Sequence, residues 1–136
     1  MENHGSGFKK KNVFQGDFTF ESGFKVGNQI KDQIRDASMA LIAANDMMAI
    51  GVIRSLEDSG LSVPGDVSIA GFGDEFSRNL LTPRLTTVTV PAREIGSKAA
   101  ELLYEGIEGR KDLQKEPEVV SLSTKLIEGE TCKKAS

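Results

Sequence analysis

The sequence has very few of the residue types that carry catalysis or crosslinking. Its 136 residues include one histidine, His4, and one cysteine, Cys132. A single cysteine excludes an internal disulfide and is typical of a reducing compartment, so we expect a cytoplasmic protein. Neither residue has neighbours at the spacing of metal ligands or of a nucleophile and its base. The sequence therefore predicts no metal site, no cofactor and no catalytic residues, and we expect a protein that is not an enzyme.

Long apolar runs and a basic surface are also missing. No stretch approaches the roughly 18 apolar residues of a membrane span, so we expect no membrane partner. Residues 1–11 lack the apolar core of a secretory signal. The formal net charge is −3 and the pI is about 5.2, which does not provide the surface that binds phosphates. The one basic run, Lys9–Lys11, is typical of a solvated tail.

The sequence does contain an alternation of apolar strands and amphipathic helices. Residues 1–17 are rich in glycine, lysine and asparagine, which predicts an irregular segment. The pattern that follows predicts helices over 21–36, 47–58 and 92–108, and strands over 40–44, 67–72, 85–90 and 118–127. From Glu128 the chain is polar, and we expect a frayed tail. This order of elements, in a chain of single-domain length, indicates an α/β fold with a largely parallel sheet.

Two of these strands end at small polar residues, and one of them leads directly into a helix. The apolar run 40–44 stops at Asn45 and Asp46, where the helix pattern begins. The run 67–72 ends in a similar way, at Gly73 and Asp74. Open α/β sheets bind their ligands at the carboxyl ends of strands, next to helix amino termini. The two strand ends together predict a binding crevice.

Three side chains are candidates for ligand contacts, and each has a structural alternative. The Asn45 amide offers donors and an acceptor in one plane, which suits vicinal hydroxyls, but it could also fill the turn. Asp74 could accept a hydrogen bond from a hydroxyl or cap the turn that follows it. Phe18 could stack on a sugar ring or belong to the core. For Asp46 we favour a cap on the helix over 47–58.

Several motifs resemble, in order and spacing, the LacI/GalR family of bacterial transcription regulators. In chain order they are Gly16–Phe24, Ala43–Gly51, Gly60–Phe72, Leu81–Val88 and the helix start Pro91–Gly96. The similarity covers about residues 12–130. It implies that residues 18–130 are part of a periplasmic-binding-protein-like effector-binding domain, mostly its carboxyl-terminal lobe. This part would lie between an irregular segment, 1–17, and a tail, 131–136.

The resemblance also implies a function, partners and site residues. It implies part of a transcriptional repressor that responds to a small-molecule effector, a sugar or a related metabolite. The family's contacts carry over to Phe18, which would pack on the effector, and to Asn45, which would bind its hydroxyls. A homodimer is implied for the full-length parent, through the helix 47–58 and the segment near 77–81. The side chains expected at that surface are Met48, Val52, Leu56, Leu80 and Leu81.

The sequence departs from the family pattern in two places. Members commonly have an acidic effector ligand directly after the Gly-Phe or Gly-Tyr that ends the second strand, and here that position is Gly73. Either Asp74 reaches the effector instead, or the contact is lost. The helix-turn-helix with which members begin has no counterpart in these residues. We therefore expect operator DNA to be bound only through a module outside them.

Two other classes of function are weaker alternatives. A fragment of a sugar-binding protein of a transport system would share the fold, but it would need a secretory signal. An enzyme on this scaffold would need an acid, a base, a nucleophile or a metal set that converges, and no such set is visible in the sequence.

Overall fold

The chain folds into helices and strands that alternate as the sequence predicts. The computed structural model describes residues 10–36, 39–73, 82–110 and 118–134. After a 3-10 turn at Lys10–Asn12, the elements are α1 (Phe20–Asp36), β1 (Met39–Ile42), α2 (Asp46–Asp58), β2 (Val67–Gly73), β3 (Thr86–Thr89), α3 (Ala92–Ile107) and β4 (Lys125–Ile127). The predicted bounds are confirmed to within one or two residues, except that the extended segment 118–127 is a strand only over its last three residues.

The described strands form one sheet in the order β1-β2-β3-β4. β1, β2 and β3 are parallel, with Leu41 opposite Ile69 and Gly71 opposite Thr87. β4 runs antiparallel to β3 and pairs Leu126 with Val88. The predicted α/β fold with a largely parallel sheet is therefore confirmed. Because β1 and β2 are parallel neighbours, their carboxyl ends lie at the same edge of the sheet.

The core lies where the helix pair α1–α2 packs on the sheet. Its buried aliphatic side chains come from both helices, from β2 and from the residue before β3, and they include Val26, Ile30, Ile34, Val52, Ile53, Leu56, Val67, Ile69 and Leu85. Burying one such side chain contributes about 1.5–3 kcal/mol relative to leaving it exposed. This cluster therefore stabilises the described fold and fixes α2 against the sheet.

Glycines bring α1 and α2 into backbone contact. A Cβ atom on Gly23 would overlap the backbone oxygen of Met48, and one on Gly51 would overlap the carbonyl oxygen of Phe20. Only glycine leaves that space open, so the two helices approach more closely than side chains would allow. This close approach holds the start of α1 beside the start of α2.

The carboxyl-terminal residues belong to the fold, and the prediction of a frayed tail from Glu128 is wrong. Thr131 is fully buried. Its hydroxyl donates to the carbonyl oxygen of Ile69 at 2.6 Å and accepts from the backbone N–H of Thr86 at 2.9 Å. The backbone N–H of Ile69 donates in return to the carbonyl oxygen of Thr131 at 2.8 Å. The polar side chains of this segment thus satisfy backbone groups of the sheet rather than water.

Helix α3 contrasts with the other two helices, because none of its residues is buried. Its apolar side chains Ile95, Leu103, Tyr104 and Ile107 are all exposed, Ile107 to 81%. The helix ends before Gly109, whose φ of +68° is the left-handed conformation expected there. The apolar stripe of α3 is therefore left uncovered by the described residues.

Among the described residues, no helix is both long enough and apolar enough to span a membrane.

Candidate functional site

Asn45 lies between β1 and α2 and connects two distant segments of the chain. It is the N-cap of α2, where its Oδ1 accepts the backbone N–H of Met48 at 2.9 Å. Its Nδ2 donates to the carbonyl oxygen of Phe18 at 2.8 Å. An asparagine amide has two N–H groups and two lone pairs, and these two bonds use one of each. Asn45 is only half-buried, so the rest of the amide can hydrogen-bond to a ligand.

The prediction that Asp46 caps α2 is wrong, because Asn45 occupies the cap position. Asp46 is instead the first residue of the helix and is 1% exposed. Its Oδ1 accepts a hydrogen bond from the Thr87 hydroxyl at 2.6 Å. Gly71 lies opposite Thr87 in the sheet, and a Cβ atom on Gly71 would overlap that same Oδ1. The Asp46 carboxylate therefore anchors the start of α2 to the sheet, in space that Gly71 leaves open.

Phe18 is an exposed aromatic residue with an unusual backbone conformation. Its side chain is 63% exposed, so it does not belong to the core, and its φ is +65°. A left-handed conformation costs a non-glycine residue about 1–2 kcal/mol. Hydrogen bonds to the peptide group that follows Phe18 stabilise this conformation. Its N–H, on Thr19, donates to Asp17, and its carbonyl oxygen, on Phe18, accepts from Asn45.

Asp17 makes a short-range network with the start of α1. Its Oδ1 accepts the backbone N–H of Thr19 at 3.2 Å and the Thr19 hydroxyl at 2.5 Å. The Thr19 hydroxyl oxygen also accepts the backbone N–H of Ser22 at 3.2 Å, as expected of a helix cap. The hydrogen bond from the Thr19 side chain, followed by one from Ser22, lowers the pKa of Asp17 from 3.8 to about 2. The carboxylate is therefore fully ionised at neutral pH.

At the second predicted strand end, after β2, the structure describes Gly73 but not Asp74. Gly73 has a φ of +112°, which glycine alone adopts readily, and a Cβ atom there would meet no other atom. Asp74 lies outside the described residues. The structure thus brings Phe18 and Asn45 together and does not describe the third predicted contact. The role of each in binding an effector stays a prediction.

The side chains predicted at a dimer surface on α2 lie inside the core. Met48, Val52 and Leu56 are 8%, 2% and 0% exposed, because α1 and the sheet already cover them. They form no surface that a partner could contact, which corrects the prediction for these three residues. Leu80 and Leu81 lie outside the described residues.

A cavity of about 430 Å³ runs along β1 between that strand and the segment before α1. Phe18 and Ala44 are among its lining residues, and apolar side chains such as Phe14, Val26 and Leu41 form much of its wall. Apolar walls leave buried hydroxyl groups without hydrogen-bond partners, which is costly. This cavity therefore suits an apolar side chain better than a sugar.

The sequence analysis predicts no role for two residues of this arrangement, Asp17 and Thr87. Asp17 has a local signal, because an aspartate two residues before a threonine is typical of a turn in which the carboxylate bonds the backbone. Thr87 has no such signal, since it lies 41 positions from Asp46. Within the described ranges, no group of three or more histidine, cysteine, aspartate or glutamate residues is placed to bind a metal.

The chain matches a known domain family along nearly all of its length. The family described as Periplasmic binding protein-like domain matches residues 1–132. The NTD biosynthesis operon regulator NtdR of Bacillus subtilis (strain 168) is 34% identical over 115 residues, which are 85% of this chain and 34% of that protein. The lactose operon repressor of Rhizobium radiobacter is 42% identical over 97 residues, which are 71% of this chain and 82% of that protein. The chain thus spans about a third of the length of NtdR.

Solved structures with the same fold are regulators of transcription. The regulator CelR in complex with cellobiose has a TM-score of 0.82 and 32% identity, over 92% of this chain and 37% of that one. A LacI family regulator from Enterococcus faecium with bound ribose has a TM-score of 0.74 and 30% identity, over 88% of this chain and 42% of that one. The lac repressor dimer bound to operator and an anti-inducer has a TM-score of 0.71 and 28% identity, over 86% of this chain and 39% of that one. By domain match, by identity and by fold, this chain belongs to the LacI family of transcriptional regulators, as part of its periplasmic binding protein-like domain.

Proposed function

We propose that this chain is the effector-binding and dimerisation part of a LacI-family transcriptional repressor, and that its effector is a sugar or a related small metabolite. The observation that carries the proposal is the meeting of Asn45 and Phe18 at the carboxyl end of β1, through the 2.8 Å bond between the Asn45 amide and the Phe18 carbonyl. A sugar presents hydroxyls at its edge and C–H groups on its face. An amide can hydrogen-bond to the hydroxyls, and an aromatic ring can pack on the C–H face.

The ligands of two structural neighbours support this class of effector. CelR is described with cellobiose and the Enterococcus faecium regulator with ribose. In our proposal Asn45 uses its remaining N–H and lone pair on effector hydroxyls, and Phe18 packs on the ring. Asp74 follows the end of β2, the strand next to β1, and is the proposed third contact. The effector would complete its binding with residues outside this sequence.

The mechanism we propose is a population shift. An effector that binds one arrangement of the domain more tightly than another moves the equilibrium between them, and so changes the affinity for operator DNA. A net charge of −3 does not favour phosphate contacts, so in our proposal DNA is bound by other residues of the protein. A DNA-regulating role places the protein in the cytoplasm and requires neither a cofactor nor enzymatic activity.

We propose that a homodimer forms through the exposed face of α2, together with Leu80 and Leu81. Met47 is 44% exposed, and Ile50 is partly exposed three positions later on the same side of the helix. Arg54 continues this side and pairs with Asp58 at 3.1 Å. The lac repressor, a structural neighbour, is described as a dimer. Replacing Ile50 with Asp should shift the protein toward monomer in sedimentation, whereas the same change at exposed Ile107 should not.

The domain boundaries predicted from the sequence, 1–17, 18–130 and 131–136, also stay a proposal. The contacts of the carboxyl-terminal segment move the boundary at residue 130. We take residues 18–130 as the effector-binding part and extend it through Lys133, whose backbone N–H donates to the Ser68 hydroxyl at 3.2 Å. A chain that ends after Gly129 should be less stable than one that ends after Lys133.

The function is tested by mapping where a sugar binds. The full-length protein is labelled with ¹⁵N and titrated with ribose, lactose and cellobiose. The chemical shifts of its amide resonances are followed during each titration. We expect the largest shifts at Phe18, Thr19 and Met48 and at the side-chain amide of Asn45. Shifts at the cavity residues Phe14, Gln33 and Leu41 with none at the Asn45 side chain, or no shift with any of these or other mono- and disaccharides, would overturn the proposal.

A further inference from the structure

We propose that Asp17 is the positioning residue of the candidate ligand site, which holds Phe18 in the orientation that a ligand meets. The inference rests on the proposed function, because it takes Phe18 as a ligand contact. Asp17 itself would not touch the ligand. It would act through the backbone that flanks Phe18.

The ring of Phe18 has little packing of its own to fix its direction. It is 63% exposed, and its backbone φ of +65° is one that a phenylalanine rarely adopts. A residue keeps such a conformation only when its surroundings determine it, and these positions concentrate at ligand sites. Since the side chain is mostly in solvent, the hydrogen bonds of the neighbouring backbone must supply that determination.

Asp17 supplies one half of these hydrogen bonds. Its Oδ1 accepts both the backbone N–H and the hydroxyl of Thr19, at 3.2 and 2.5 Å, so the bonds span Phe18 and close a turn around it. The backbone N–H of Asp17 also donates to the Ser22 hydroxyl at 3.2 Å. The carboxylate therefore joins Asp17 to Thr19 across Phe18, and the backbone N–H of Asp17 joins this turn to the first turn of α1.

Asn45 supplies the other half. Its Nδ2 donates to the Phe18 carbonyl oxygen at 2.8 Å, while its Oδ1 is held by the first turn of α2. The peptide group that follows Phe18 is thus held at both of its polar atoms, the carbonyl oxygen by Asn45 and the N–H by Asp17. These two partners lie at helix starts that glycines bring together. The lowered pKa of Asp17 agrees with this arrangement, since an ionised carboxylate makes stronger hydrogen bonds than a neutral acid.

The first part of the test measures the position of residue 18 without any ligand. The chain contains no tryptophan, so Phe18→Trp introduces a single fluorescent probe at the site. Asp17→Ala and Asp17→Asn are made in this background, with Asp32→Ala, which removes an exposed acidic residue within α1, as the control. Acrylamide quenching and fluorescence anisotropy report the mobility of the probe, and circular dichroism reports the fold.

We expect Asp17→Ala to raise the quenching constant about twofold and to lower the anisotropy, because the left-handed turn is no longer held. Asp17→Asn keeps an oxygen that can accept the Thr19 bonds, so it should restore most of both values. Asp32→Ala should change neither. Equal quenching and anisotropy in the Asp17→Ala variant and its parent would overturn the proposal.

The second part separates this inference from the proposed function. The Asp17 and Asp32 changes are also made with Phe18 kept, and these variants are titrated with cellobiose or whichever sugar binds in the mapping experiment. Asp17→Ala should weaken binding about tenfold, which corresponds to about the strain energy of one such residue, and Asp17→Asn should recover it. If Asp17→Ala frees the probe but no sugar binds, the proposed function fails while the positioning stands. If the sugar binds equally well to all variants, the positioning role fails while the function stands.

Discussion

Asp46 and Thr87 lie 41 positions apart in the chain, and the Asp46 Oδ1 accepts the Thr87 hydroxyl at 2.6 Å inside the core. Both residues are buried, so the bond is shielded from water. It joins the first residue of α2 to β3 across β2. Because Asn45 directly precedes Asp46, the same bond fixes the residue that we propose as an effector contact. The stability of the fold and the geometry of the site thus depend on a shared anchor.

The first prediction concerns this anchor. Asp46→Ala leaves the Thr87 hydroxyl without this partner, and Thr87→Val removes the donor to a buried carboxylate. Each change should lower the free energy of unfolding by about 1–3 kcal/mol in urea titrations. In a double-mutant cycle the coupling should be about 0.5–3 kcal/mol.

One control accompanies that cycle. Arg54→Ala removes an exposed ion pair to Asp58 at 3.1 Å and should change stability by less than about 1 kcal/mol. Strict additivity of the Asp46 and Thr87 effects would contradict the anchor.

The second prediction concerns the close contact of α1 and α2. Gly51→Ala places a methyl group against the carbonyl oxygen of Phe20, so it should destabilise the protein by about 1–3 kcal/mol despite the higher helix propensity of alanine. Gly96→Ala in α3 is the matched control, since a Cβ atom there meets nothing within 4 Å. It should stabilise the protein by about 0.5–1 kcal/mol. Thermal melts that show the same sign for both would contradict the backbone contact.

The third prediction concerns a buried hydroxyl. Within the described part of the chain, the Ser55 Oγ is buried without a hydrogen-bond partner, at the contact of α2 with Gly27. Ser55→Ala removes this unsatisfied group and should stabilise the protein by about 1 kcal/mol. Ser59→Ala is the control, because the Ser59 hydroxyl donates to the Ser55 carbonyl oxygen at 2.9 Å and its loss should destabilise. A loss of stability for Ser55→Ala would indicate that its hydroxyl does have a partner.

The fourth prediction concerns the pH dependence of Asp17. Hydrogen bonds from the Thr19 and Ser22 side chains lower its pKa from 3.8 to about 2 in the folded state. A lowered folded pKa favours the folded state at any pH above the unfolded value, and this contribution is lost as the pH falls from about 3.8 toward 2. A carboxyl-carbon NMR titration should place the midpoint of Asp17 near 2, and Thr19→Ala should raise it. A midpoint near the ordinary value would contradict the network.

The helices and parallel strands were predictable because their signal is local. Apolar residues at helical spacing mark α2, and a short apolar run that ends at Asn45 marks β1. The same local signal cannot show which partner covers a helix face. Met48, Val52 and Leu56 have the spacing of an interface and of a core alike, and the structure places them in the core.

The contacts between distant residues were not predictable from the sequence. Thr131 is polar and close to the end of the chain, and nothing local shows that its hydroxyl bonds the Ile69 carbonyl 62 positions away. Aspartate and asparagine are about equally good caps, so the local sequence does not decide between Asn45 and Asp46 as the cap of α2. What decides between them is the buried Thr87 partner, which draws the Asp46 side chain into the core and leaves the cap to Asn45.

The central claim, that Asn45 binds a sugar effector, is tested most directly by calorimetric titration of Asn45→Ser against the unchanged protein. Serine keeps an oxygen for the helix cap but loses the Nδ2 bond to the Phe18 carbonyl oxygen, so the free energy of unfolding should fall by about 0.5–1.5 kcal/mol. Serine also lacks the N–H that we propose binds the effector, so the affinity for the sugar should fall by at least about tenfold. Equal affinities in the two proteins would contradict the account.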